Sequence, residues 1–208
     1  MKKQTLIIAS LFVLVLLFVG GSYLYKKDDH SVANENASAL VRPYAYVLGN
    51  PDAKTTIVEF FDPACGTCKS FYPFVKNILK QNPDKLKLVL RYAPFHTDSY
   101  YVVAMIEAAR LQNKYIEALE VIYKYQDKWA SHSAPNIGLI WGFLPEAGID
   151  VEKLRDDMKK PEIDAIIKQD IADTKTLGVN ATPEFFVNGK PLVKFGKQEL
   201  EDLITSEL

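Results

Sequence analysis

The sequence has few of the residues that would define a site by themselves. Two cysteines and three histidines in 208 residues are too few for a disulfide framework. Zinc usually takes four ligands, and no second Cys or His pair stands at the required spacing. The histidines are His30, His96 and His132, far apart in the chain. There is no excess of positive charge either. Lys plus Arg is 25 against 26 Asp plus Glu, a net of −1, so nothing favours a nucleic-acid partner. Repeats and low-complexity tracts are absent. With 48% hydrophobic residues, the composition is that of a folded chain with one domain or two small ones.

Long hydrophobic runs are also scarce, with one exception. Leu6 to Tyr25 is twenty residues without a charge, flanked by Lys2, Lys3, Lys26 and Lys27. At about 1.5 Å per residue, such a helix spans about 30 Å, the hydrocarbon thickness of a bilayer. The run exceeds a signal-peptide core of about 7 to 15 residues and lacks an A-x-A site. Residues 1–27 are therefore expected to be a single-pass transmembrane anchor. Secretion after cleavage near Gly20-Gly21-Ser22 is the alternative. Lysines flank both ends, so the positive-inside bias is weak. Removing the four lysines leaves 21 basic and 26 acidic residues, a net of −5. That suits an acidic, exported domain. Residues 28–44 are rich in Asp, Asn, Ser and Ala and read as a polar tether.

From about residue 45 the pattern is that of one α/β domain. Thr55 to Phe61 (TTIVEFF) is β-branched and aromatic, as a buried strand requires. Asp62-Pro63 breaks it. Cys65 to about Gln81 reads as a helix containing Pro73, and Lys87 to Tyr92 as a second strand parallel to the first. Ser99–Asn113, Tyr115–Trp129, Val151–Met158 and Pro161–Leu177 read as helices. The last starts at a proline and stops before Gly178. Glu184–Val187 and Lys190–Val193 flank Asn188-Gly189, a strong hairpin signal. Lys197–Glu207 closes as a helix.

The chemistry concentrates at Cys65-Gly66-Thr67-Cys68. A CxxC pair can bind a metal, form a static disulfide or cycle between dithiol and disulfide. A static bond closing so short a loop stabilises little. Cycling has support from position. Cys65 falls at a helix N-terminus, where unpaired backbone N–H groups and the helix dipole favour a thiolate. Cys68 lies one turn deeper. Cys65 is then the attacking sulfur and Cys68 the resolving one. Strand alternation puts Glu59 on the face of Ile57 and Phe61, hence buried, where a carboxyl near the dithiol could accept protons. An edge-strand surface position is the alternative. His96 reads as a surface or capping residue, although the loop holding it follows a strand end. Lys69 reads as a solvated helix lysine. Tyr123, Tyr125, Trp129, Trp141 and Phe143 read as packing of the helical block, with a peptide groove as the alternative.

FFDPACGTCKSF, followed downstream by TPEFFVNGKP, resembles the thioredoxin superfamily over residues 45–208. The helical block between the two halves, about residues 98–177, is similar to that of the DsbA-like branch. The resemblance implies a thioredoxin-like α/β fold with a helical insertion, preceded here by the anchor. It implies a thiol–disulfide oxidoreductase with Cys65 as nucleophile and Cys68 as buried partner. It makes Pro183 a cis-proline facing the dithiol, Thr182 the residue whose backbone pairs with substrate, and Glu59 a buried acid. The implied partners are exported cysteine-containing proteins and a membrane redox partner that recycles the CxxC. No cofactor or metal is implied. Gly-Thr between the cysteines replaces the Pro-His of the strong oxidants, so a less depressed thiol pKa is expected. Two other classes remain open: a non-catalytic peptide-binding module or holdase using the groove beside Thr182-Pro183, and a metal chaperone using CxxC with His96.

Overall fold

The computed structural model describes residues 37–131 and 135–208. The anchor proposed at 1–27 and the first part of the tether lie outside the described residues, as does His132. Among the described residues no helix is long and apolar enough to cross a membrane. Leu40–Leu208 forms one compact unit.

Its centre is a five-stranded sheet in the order β1-β3-β2-β4-β5. The strands are β1 (Tyr46–Gly49), β2 (Thr55–Phe61), β3 (Leu86–Tyr92), β4 (Glu184–Val187) and β5 (Lys190–Pro191). β2 and β3 are parallel, with Glu59 opposite Leu90. β4 runs antiparallel to β2, with Glu59 opposite Phe185. β2 is thus central, and the alternative edge position for Glu59 does not occur.

Between β2 and β3 runs α1 (Gly66–Gln81). Its buried residues, Cys68, Phe71, Tyr72, Val75, Ile78 and Leu79, recur at three and four residues, the spacing of one helix face. That face packs with Ile57, Phe61, Leu88, Leu90 and Phe185 on one side of the sheet. Val58, Phe60, Val89 and Phe186 point to the other side and meet Leu40 and Val179. Alternation along β2 therefore serves two cores.

The helical insertion follows β3: α2 (Ser99–Arg110), α3 (Tyr115–Lys124), α4 (Gln126–Trp129), α5 (Ile140–Phe143), α6 (Val151–Asp157) and α7 (Pro161–Leu177). Pro161 opens α7, and Gly178 closes it with φ +71°, a conformation that suits glycine. The helix expected over Tyr115–Trp129 is broken instead. Tyr125 leaves helical geometry (φ −101°, ψ 12°) and its ring stacks on Phe143 at 4.0 Å. Trp129 is fully buried and donates its indole N–H to the Ile122 carbonyl at 2.9 Å. Trp141 is half-buried, with Arg155 3.9 Å over its ring.

Asn188 and Gly189 both have positive φ, as a two-residue hairpin turn requires. The second strand stops at Pro191, which has no N–H to continue a ladder, rather than at Val193. α8 (Lys197–Ser206) ends the unit.

β1 was not expected from the sequence; it is a four-residue edge strand with alternating exposure. Leu40, Arg42 and Tyr44, within the stretch read as tether, are tied to the domain. Arg42 pairs with Asp173 through bonds of 2.8 and 2.6 Å, and Tyr44 donates to Asp170 at 2.6 Å. The same two aspartates hold Arg91, which is completely buried in β3.

Candidate active site

The end of β2 delivers the chain directly into the CxxC turn. Asp62 follows the strand, and its carbonyl accepts the Cys65 N–H at 3.0 Å. Cys65 is the N-cap of α1, in extended geometry, and its sulfur accepts the Cys68 N–H at 3.4 Å. Both cysteines are free thiols. The Thr182–Pro183 peptide is cis. The Thr182 carbonyl lies 3.2 Å from Cys65 Sγ and accepts its S–H when the sulfur is protonated. Cys65, Cys68, Thr182 and Pro183 are thus brought together from the two ends of the fold.

The two sulfurs titrate in opposite directions. The Cys65 thiol is pushed down to about 5 from 9.0. The Cys68 side chain contributes most, and the Thr182 side chain with the backbone N–H groups of Cys68 and Thr67 adds to it against the cost of burial. The N–H donors stabilise a thiolate at the helix N-terminus. Cys68 is 0% exposed, and burial pushes its thiol far above the ordinary value; Cys65 and Glu59 push it the same way. Lys69 pairs with Asp127 at 2.9 Å.

Glu59 is 2% exposed and forms no ion pair among the described residues. Its carboxyl is raised to about 8, first by burial and then by the negative charge of Cys65. It is therefore a buried, proton-carrying carboxyl electrostatically coupled to both cysteines.

Two residues of the site carry no signal in the sequence. Gln126 is buried at the start of α4 and donates its amide N–H to the Pro63 and Cys65 carbonyls, at 2.9 and 3.0 Å. The insertion therefore grips the CxxC turn. Asp62, read only as a strand stop, is fully buried and takes His96 through its ring Nδ1 at 2.9 Å. His96, expected as a surface or capping residue, is partly exposed but bonded there. It lines a cleft of about 250 Å³ with Ala64, Phe95, Ala130 and Pro135. A second cleft, of about 280 Å³, lies beside Thr182 and Pro183, walled by Phe185, Leu192, Val193 and Phe195. Val193 is 93% exposed there. Among the described residues no three His, Cys, Asp or Glu side chains gather as a metal site.

A CxxC dithiol at a helix N-terminus, set directly against a cis-proline segment, is the arrangement of thioredoxin-like thiol–disulfide oxidoreductases. Comparison with known proteins agrees. The thioredoxin family profile matches residues 42–205, and the chain belongs to that family. A thioredoxin-like oxidoreductase from Silicibacter pomeroyi is 31% identical, with a TM-score of 0.70 over 81% of this chain and 95% of that one. The probable disulfide bond formation protein D of Bacillus anthracis is 27% identical over 202 residues, 90% of this chain and 89% of that protein. Solved DsbA-like exchange proteins share the fold at lower identity. The chain also matches Na(+)/H(+) antiporter NhaA of Herminiimonas arsenicoxydans, 29% identical over 147 residues. That match takes in 71% of this chain and only 23% of the antiporter, so the chain spans about a quarter of such relatives.

Proposed function

We propose that the chain exchanges disulfides with exported cysteine-containing proteins on the periplasmic face of the bacterial inner membrane, and that a membrane redox partner recycles it. The observation that carries this reading is the asymmetry of the dithiol. Cys65 is held as a thiolate by donors at the helix N-terminus, while Cys68 is buried and kept protonated.

In the oxidising direction a client thiolate attacks Cys65 Sγ of the Cys65–Cys68 disulfide. The S–S bond breaks and Cys68 leaves with the electron pair. It takes up a proton, for which Glu59 is the nearby buried carrier. A second client thiolate then attacks the client sulfur of the mixed disulfide. Cys65 leaves as a stable thiolate, the client is oxidised and the dithiol is reduced. The low value at Cys65 makes it a good leaving group, which favours donation over reduction. Thr182 offers backbone groups to an extended client segment, and the cleft beside Pro183 accepts its side chains.

The test is a pair of variants. Cys68→Ala should trap mixed disulfides, its Cys65 thiolate attacking a client disulfide and expelling one client thiolate, and Cys65→Ala should lose exchange. Retained exchange in Cys65→Ala would overturn the proposal. The exposed apolar cleft beside Pro183 favours a second reading, a peptide-binding module or holdase. In that case replacing both cysteines leaves the biological activity intact.

A further inference from the structure

We propose that Asp62 is a positioning residue of the dithiol, its buried carboxylate fixing the turn that aims Cys65 at its hydrogen-bond donors. Three chain segments converge on this one side chain. Oδ1 accepts the Ala64 N–H at 2.8 Å, from the CxxC turn, and the Ser99 hydroxyl at 2.6 Å, from the first residue of α2. Oδ2 accepts the His96 backbone N–H at 2.8 Å and bonds the His96 ring Nδ1 at 2.9 Å, both from the loop between β3 and α2. The backbone carbonyl of the same residue takes the Cys65 N–H. Residues 62–65 are thereby pinned from inside, and the pin is anchored to the start of the helical insertion.

The carboxylate does not act as a helix cap, because the N-cap of α1 is Cys65 itself. Nor can asparagine replace it without penalty. Each oxygen receives a backbone N–H, Ala64 on one side and His96 on the other. Whichever way an amide is turned, its NH₂ meets a backbone N–H that cannot reverse its role. An anion that is 0% exposed is retained where its neighbours donate to it. What the pin holds is the geometry at Cys65. The sulfur meets the Cys68 N–H and the groups of Thr67 and Thr182 only while Cys65 keeps its extended N-cap conformation.

The two ways Asp62 could influence Cys65 have opposite signs. As a nearby charge it disfavours the thiolate, so its removal would lower the proton affinity of Cys65. As a positioning residue it favours the thiolate, so its removal raises that affinity. The experiment is a titration of Cys65 in the reduced full chain, followed by ultraviolet thiolate absorbance and by the rate of alkylation. Glu59, Cys68 and Tyr123, titratable groups coupled to Cys65, are unchanged throughout. In Asp62→Asn the proton affinity of Cys65 should rise about tenfold, the worth of about one hydrogen bond to a charged group. The dithiol should then shift about tenfold toward the disulfide against glutathione, equivalent to about 30 mV.

Ser99→Ala removes one donor from Asp62 and touches neither cysteine, so it tests the inference even if Asp62→Asn does not fold. It should move Cys65 in the same direction by a smaller factor. Combined with Asp62→Asn it should add less than it does alone, because both changes act through the one side chain. An unchanged or lowered proton affinity in both variants, with only thermal stability reduced, would overturn the proposal. The inference rests on the exchange reading for its meaning, but the titration needs no client. Loss of exchange in the unaltered protein and failure of positioning are therefore separate results.

Discussion

Replacing Glu59 by glutamine should make the reduced protein more stable at pH 8 and a slower exchanger. The folded protein holds the Glu59 proton up to about 8, whereas the unfolded chain releases it near 4.5. Folding therefore keeps a proton that unfolding gives up. This stabilisation is fully present below about 4.5 and is lost as pH rises through about 8, at about 1.4 kcal/mol per pH unit. The whole window corresponds to about 5 kcal/mol, an upper bound because water and side chains relax around a buried charge. Glutamine at this position carries no such charge. The Cys65 thiol contributes a slope of the opposite sign, but it is common to both proteins and largely cancels in the difference. Urea unfolding of the two reduced proteins between about pH 4.5 and 8 reads that difference directly. The curves should start together and diverge by several kcal/mol, with the variant above. Single-turnover resolution of a mixed disulfide at Cys65 should be slower in the variant by about tenfold or more, the ordinary scale of a lost proton carrier. Parallel stability curves would refute the reasoning that burial holds a proton on Glu59.

Two further substitutions probe how the site is held. Asp170→Ala leaves the fully buried Arg91 short of two of its hydrogen bonds, at 3.1 and 2.8 Å, and frees Tyr44 and the Tyr92 N–H. It should cost about 3 to 5 kcal/mol in urea unfolding, as breaking a buried ion network does. Gln126→Leu strips the donor from the Pro63 and Cys65 carbonyls and should cost about 1 to 3 kcal/mol. Alkylation of Cys65 in that variant should also lose part of its acid-shifted pH profile, because the CxxC turn is no longer gripped by the insertion.

What the sequence reveals about this site depends on distance along the chain. The CxxC at a helix start, the parallel pair β2 and β3, the Asn-Gly hairpin and the buried face of Glu59 all follow from local periodicity and breakers. Asp62 does not, because Asp-Pro after a strand looks like punctuation. Its carboxylate partners include His96 and Ser99, 34 and 37 residues away. Gln126 is hidden for the same reason, 61 residues from Cys65 and inside what reads as continuous helix. Arg91 sits in an apolar strand, and its aspartates lie on a helix 79 and 82 residues later. β1 escapes notice because four residues are too few to show a period. The cis bond at Thr182–Pro183 was legible only through the family resemblance, since nothing local distinguishes it.

The most direct test of the account is the equilibrium reduction potential of Cys65–Cys68 in a glutathione buffer at about pH 7. A thiolate stabilised from 9.0 to about 5 favours the reduced dithiol by about a hundredfold at that pH, equivalent to about 60 mV. Thioredoxin, whose attacking thiol is near about 7, lies at about −270 mV, so this couple should lie well above it, between about −230 and −120 mV. A value at the upper end, about −180 to −120 mV, identifies a disulfide donor or isomerase. A value at or below about −270 mV would contradict the thiolate stabilisation at Cys65, and a dithiol that never equilibrates would contradict exchange itself.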